Sequence, residues 1–181
     1  MNPWIIVGIV VVVILLIAYI SIRNNISRTQ IKIDEASAGI DVALQKRYDV
    51  LTKMLDVVKA YTKYEKETIL EVIKVRQGMN MDEKADADKK MSEEFSKISL
   101  VAENYPELRS SDNYKTLQQA IADTEEHLQA ARRMFNSNVS RLNQLLVTFP
   151  SSVVASSMGV TKKAFYEVEE AKKEDVKMDF E

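Results

Sequence analysis

The sequence predicts an all-α protein. A single N-terminal transmembrane helix continues into a long antiparallel up-down helical bundle, with three long heptad helices and a C-terminal helical segment. Three observations carry this. Residues 1–22 hold 18 hydrophobic residues and no charged side chain, while all 25 basic and 27 acidic side chains follow them. Four glycines and three prolines are too few for a turn-rich β-sandwich or barrel. Apolar residues then recur on alternating spacings of four and three, the period of a helix packed along a seam.

The first element is Trp4–Ile22, nineteen uncharged and mostly branched aliphatic residues. At about 1.5 Å per residue they span roughly 28 Å, one bilayer core. Trp4 and Tyr19 stand near the two ends, where amphipathic rings favour the interface. A cleaved signal peptide needs a basic start and a pair of small residues at its cleavage site. Met1-Asn2-Pro3 and Ala18-Tyr19-Ile20 supply neither. Arg23, Arg28 and Lys32 follow the run and only the terminal amine precedes it. The positive-inside rule therefore puts the N-terminus outside and residues 23–181 in the cytoplasm. The expected organisation is an anchor over 1–22, a bundle over 23–175 and a tail over 176–181.

Helix one is expected from Arg23 to Arg76. Its seam reads Ile33, Ala36, Ile40, Leu44, Leu51, Met54, Val58 and Tyr61, with Arg47 in the slot between Leu44 and Leu51. The stripe passes Glu65, resumes at Ile69, Val72 and Val75, and stops at Gly78, with Asn80-Met81-Asp82 as the turn. Asp82–Lys90 then reads as an exposed first turn or a loop. Helix two carries Met91, Phe95, Ile98, Ala102 and Tyr105 up to Pro106.

Ser110-Ser111-Asp112 offers N-caps for helix three, whose seam runs Leu117, Ile121, Thr124, Leu128, Ala131, Phe135, Asn138, Leu142, Leu145 and Phe149. Ser151–Met158 forms a short helix ending at Gly159, and Lys162–Lys172 is amphipathic, burying Phe165, Val168 and Tyr166. Helices of about 54, 22 and 38 residues would span roughly 80, 33 and 57 Å. That mismatch predicts that Asn104–Ser111 runs extended along helix one, packing Tyr105 and Leu108.

Little in the sequence converges on chemistry. With no cysteine there is no disulfide, thiolate nucleophile or Cys-ligated zinc. A di-iron bundle needs two Glu-x-x-His pairs, yet His127 is the single histidine and Thr124 stands three before it. The four glycines stand apart, so none forms a phosphate cradle. Ser151, Ser152, Ser156 and Ser157 read as caps and turn residues rather than partners of Lys162 or Lys163. Glu125-Glu126 and Glu169-Glu170 are adjacent helical pairs facing different ways. Arg47, Glu65, Thr124 and Asn138, the polar residues on the seams, read as register-setting groups or as the lining of a partner groove. A net charge of −2 argues against nucleic acid as a partner. No catalytic, cofactor-binding or metal-binding residue is expected.

Several motifs recur in one order along the chain. They are Ile40-Asp41-Val42 with Leu44, Arg47 and Asp49; Val58-Lys59 with Tyr61 and the Glu65 segment; and Ala102-Glu103-Asn104-Tyr105-Pro106 through Leu108 to Ser111-Asp112-Asn113. Thr124-Glu125, Ala130-Ala131-Arg132-Arg133 with Asn136, Asn143, Phe149-Pro150, Gly159 and Phe165-Tyr166-Glu167 follow, with a Val176 to Phe180 tail. In this order and spacing the chain resembles the LemA family of bacterial membrane-anchored proteins. The resemblance implies an anchor at the bacterial inner membrane and a cytoplasmic antiparallel bundle. This chain departs from it at Thr52-Lys53, where Pro-Asn is usual, at Ala60, where glycine is usual, and at Tyr64, where histidine is usual. Without the proline, helix one should be straighter at that point. The family carries no established activity.

The expected function is non-enzymatic: a docking scaffold or adaptor at the inner membrane face. Its partners would be the lipid bilayer, through residues 4–22, and an unidentified membrane or cytoplasmic protein. One alternative is an accessory subunit of a membrane protease or signalling system, or a hydrolase, which would require two carboxylates converging in a deep pocket. Another is self-assembly into a homo-oligomer, which would need an exposed apolar stripe, with Val50, Val57 and Val153-Val154 as its candidates.

Overall fold

The computed structural model describes residues 3–62, 73, 75–76 and 78–167. Among these residues there are five helices and no strand: α1 (Pro3–Lys59), α2 (Met81–Glu103), α3 (Pro106–Ser110), α4 (Asp112–Val147) and α5 (Ser151–Ser157). They form two compact units. One holds the described residues up to Ala43 together with Glu126–Phe165; the other holds Leu44–Glu125 with Tyr166 and Glu167.

In the first unit α1 and α4 run antiparallel. Arg141 Nη2 donates to Asn25 Oδ1 (3.4 Å), and Asn138 Nδ2 donates to the Lys32 carbonyl (3.2 Å), so the register advances along one helix as it recedes along the other. Ile26, Ile33 and Ile40 are buried at seven-residue intervals on α1, as are Leu128, Phe135 and Leu142 on α4. From Ile33 on, that repeat is the seam read from the sequence, and Ile26 extends it by one heptad. The start of α1 is long and apolar enough to cross a membrane, and none of that stretch is buried. On the same side of the unit, α5 closes at Gly159 as expected. Gly159 takes φ 66°, its N–H donates to the Ser156 carbonyl, and the Val160 N–H reaches the Ala155 carbonyl. Those two bonds and the left-handed glycine make a Schellman close, which satisfies two end carbonyls.

The second unit buries Leu44, Leu51, Met54, Leu55 and Val58 of α1, Met91, Phe95 and Ile98 of α2, and Leu108. Ser111 caps α4, its Oγ accepting from the Tyr114 N–H (3.3 Å). Helix α1 passes through Thr52-Lys53 without a break, and Thr52 Oγ1 donates back to the Tyr48 carbonyl (2.9 Å).

Four expectations are corrected. Helix one ends at Lys59 rather than Arg76. Backbone bonds from Ala60 to Val57 and from Tyr61 to Val58 tighten its last turn, and the Thr62 N–H and Oγ1 (3.1 Å) also converge on the Val58 carbonyl. Glu65, Ile69, Val72 and Tyr64 lie outside the described residues. Helix α2 starts at Met81, and Asp82–Lys90 is neither a loop nor wholly exposed, since Lys84 and Asp88 are buried. Asn80 Oδ1 accepts from the Glu83 N–H while Glu83 Oε2 accepts from the Asn80 N–H, a capping box that fixes the first turn.

Asn104–Ser111 is not extended. Pro106 at the first helical position and the Arg109-to-Tyr105 backbone bond make a one-turn helix that buries Leu108 and leaves Tyr105 exposed. With α1 running 37 residues past Ile22 and α4 spanning 36, the length mismatch behind that expectation disappears. Finally, residues 162–167 are not helical. Asn143 clamps this segment instead, leaving Phe165 exposed and Tyr166 buried, while Val168 and the tail from Val176 lie outside the described residues.

Candidate functional site

The densest polar feature is in the second unit, around Arg47. Its position in the seam between Leu44 and Leu51 carries the guanidinium inward, and only 3% of the residue is exposed. Nη2 donates to Ser92 Oγ (2.8 Å), Nε faces Asp88 Oδ1 (3.5 Å), and Nη1 pairs closely with Glu125. The ring of Phe95 lies beneath the guanidinium, 5.5 Å from carbon to centroid. Helices α1, α2 and α4 each contribute to this one group.

Buried charges persist only when paired and hydrogen-bonded, and this cation meets two carboxylates, a hydroxyl and an aromatic face. The Ser92 hydroxyl accepts from Arg47 and donates to the Asp88 carbonyl (2.9 Å), so its proton is committed to the backbone. Two carboxylates therefore converge here, but on an arginine and not on an open pocket. The arrangement is suited to fixing helix register.

The other polar seam residues behave similarly. Thr124 is buried with Oγ1 donating to the Ile121 carbonyl (2.8 Å), and Asn138 reaches Lys32 as described above. His127 is exposed on α4. Ser151 Oγ donates to the Thr148 carbonyl (2.8 Å) and Ser157 Oγ to the Val154 carbonyl (2.6 Å), while Lys163 Nζ lies 3.5 Å from Asp34 Oδ1. Neither serine makes a capping bond: each hydroxyl donates to a carbonyl three residues back. Pro150, at the N-cap of α5, makes no side-chain cap bond, so the serines are turn residues here and not the caps expected. Glu125 joins the Arg47 cluster while its neighbour Glu126 is exposed, so the adjacent acids do face apart. Of the four residues expected to form an exposed apolar stripe, Val50 and Val154 are buried, Val57 is half-buried and Val153 alone is exposed. Among the described residues no three Asp, Glu or His side chains gather as metal ligands.

Sequence reasoning missed Asp88, Lys84 and Glu94, all buried on α2. The signal was present: Lys84, Asp88, Met91, Phe95, Ile98 and Ala102 continue the four-three spacing backwards through charged residues. A reading that followed apolar residues alone stops at Met91.

Residues 36–180 match the LemA family, and that stretch contains every residue of the Arg47 cluster. The chain belongs to the LemA family. It is similar to Protein LemA of Metamycoplasma hominis, at 26% identity over 163 residues that cover 87% of this chain and 74% of the relative. The LemA match starts beyond the apolar stretch of α1, so the candidate membrane segment and the start of the family match lie on one uninterrupted helix.

Proposed function

We propose that this LemA-family chain is a single-pass protein of the bacterial inner membrane, with its N-terminus outside and its helical bundle in the cytoplasm. There it acts without chemistry of its own, as a docking scaffold or adaptor for a membrane or cytoplasmic protein. The observation that carries the reading is the continuity of α1. An apolar, wholly exposed stretch passes without a break into a seam of buried isoleucines and leucines. A rigid connection of that kind holds a bundle at a fixed distance from a bilayer. Arg23, Arg28 and Lys32 at the crossing point support the orientation. The engagement of Arg47, Asp88, Glu125 and Ser92 with one another supports a structural role for the most polar part of the bundle.

Crosslinking the full-length protein in intact membranes, followed by mass spectrometry, tests the proposal. A defined, reproducible partner is the expected result. Recovery of the chain crosslinked only to itself would replace the adaptor with a self-assembling scaffold. A reactive group confined to the periplasmic side that modifies a cysteine placed at Leu100 would reverse the orientation.

A further inference from the structure

The end of α4 and the start of α5 form an apolar corner on the first unit. Val147, Phe149 and Val153 are 63%, 80% and 62% exposed, around a turn that any soluble protein would be expected to make polar. Its position relative to α1 is fixed twice. Arg141 meets Asn25, and six further residues of α4 at about 1.5 Å each carry the chain roughly 9 Å toward the N-terminal end of α1. Independently, Ser157 Oγ lies 3.4 Å from the Tyr19 hydroxyl. Both constraints put the corner level with Tyr19, inside the uncharged stretch that ends before Arg23.

Charge adds a second, separate observation. Residues 1–33 and 127–165, all in this unit, contain no aspartate or glutamate, yet carry Arg23, Arg28, Lys32, Arg132, Arg133, Arg141, Lys162 and Lys163. The rest of the chain holds all 27 acids. The cations nearest the corner are Arg23, Arg28, Arg141 and Lys162, whereas Lys163 pairs with Asp34 (3.5 Å) and Arg132 and Arg133 lie further along α4. Beside the corner, a depression on α1 is lined by Ile17, Ile20, Ser21, Asn24, Asn25 and Arg28, apolar toward the membrane stretch and cationic away from it. That is the order of an acyl chain and its phosphate.

We propose that the Val147–Val153 corner inserts beside α1 into the headgroup–acyl boundary of an anionic bilayer, with Arg23, Arg28, Arg141 and Lys162 near it taking the lipid phosphates. The inference rests on the membrane reading of α1 and adds a second contact to it. Apolar side chains inserted at the boundary supply hydrophobic attachment, and neighbouring cations add attraction to anionic lipid. Two attachments at one level hold the unit at a fixed tilt, which a lone α1 would leave free to swing.

The absence of cysteine makes the test direct. Single variants Ile14→Cys, Phe149→Cys, Val153→Cys and Leu100→Cys of the full-length chain carry a nitroxide in vesicles of phosphatidylcholine, with or without phosphatidylglycerol. Accessibility to oxygen against a water-soluble nickel complex then reports depth. Labels at Ile14, Phe149 and Val153 are expected to favour oxygen several-fold over the label at Leu100, with the two corner labels deeper when phosphatidylglycerol is present. A deep label at Ile14 with aqueous labels at Phe149 and Val153 would overturn the insertion and leave the anchor standing. Aqueous Ile14 with a deep corner would do the reverse. Equal corner depth in both lipids would remove the anionic-lipid part of the proposal.

Discussion

The two units are secured by different chemistry. In the second, a buried arginine is enclosed by Asp88, Glu125, Ser92 and Phe95, contributed by three helices. In the first, amides reach across to backbone carbonyls: Asn138 to Lys32, and Asn143 to both the carbonyl and the N–H of Lys163 (2.9 and 3.0 Å). A buried ion pair does not tolerate the loss of either buried member, because the other is left charged and dry. An amide at a half-exposed site gives up only the modest net worth of its bonds, since water replaces it. The difference predicts that the second unit fails as a whole where the first loosens locally.

The largest expected effect comes from the cluster itself. Arg47→Met should cost about 3–5 kcal/mol, because the buried Asp88 and the partly buried Glu125 lose the guanidinium they share. Asp88→Ala should cost a similar amount, whereas Glu125→Gln should cost about 1 kcal/mol or less, since that carboxylate is 35% exposed and screened by solvent. Chemical denaturation of the full chain in detergent gives all three. Equal losses for Asp88→Ala and Glu125→Gln would end the distinction between buried and rim partners. A double variant, Arg47→Met with Asp88→Leu, should lose much less than the sum of its parts, because the pair is removed together.

A smaller effect is expected in the first unit. Asn143→Ala removes two hydrogen bonds that together stabilise by roughly 1–3 kcal/mol. The loss should be local, appearing as faster hydrogen exchange at the Lys163 amide, with the amides of α2 unchanged. If Asn143→Ala instead lowered the global stability as far as Arg47→Met, the contrast between the units would be wrong.

The middles of the seams were readable in the sequence because burial repeats every seven residues, but Tyr61 and Phe149, read as seam residues, are exposed. Ile33, Ile40, Met54, Met91, Ile98, Leu128 and Leu142 are all buried where the spacing puts them. What escaped were the ends and the charges. Lys59 is followed by neither glycine nor proline, so its helix end is written in side-chain hydroxyl and backbone bonds with no punctuating residue. The usual family glycine at the place of Ala60 was the available hint. The start of α2 escaped for the opposite reason. Asp82–Lys90 looks solvated by composition, although Lys84 and Asp88 occupy seam positions and are buried by partners that lie far away in sequence. Arg47 was legible as a seam residue, but its ring of partners required the fold.

The smallest effect sharpens the comparison by moving the same pairing to the surface. Arg76 and Glu83 form an arginine–carboxylate pair like that of Arg47 and Asp88, but with side chains 69% and 38% exposed. The Asn80 backbone N–H, and after it Arg76, hold the Glu83 carboxyl below its ordinary value. Because the folded value is the lower one, the folded state binds fewer protons. The resulting stabilisation is complete above the unfolded pKa and is lost as pH falls through the folded pKa. Glu83→Gln should flatten the acid limb of the stability curve slightly and leave neutral-pH stability almost unchanged, with salt weakening the wild-type contribution. A carboxyl titration followed by NMR gives the folded value directly. A Glu83 carboxyl titrating at or above its ordinary value would show that the capping bond to Asn80 does not form in solution, and α2 would then begin later than Met81.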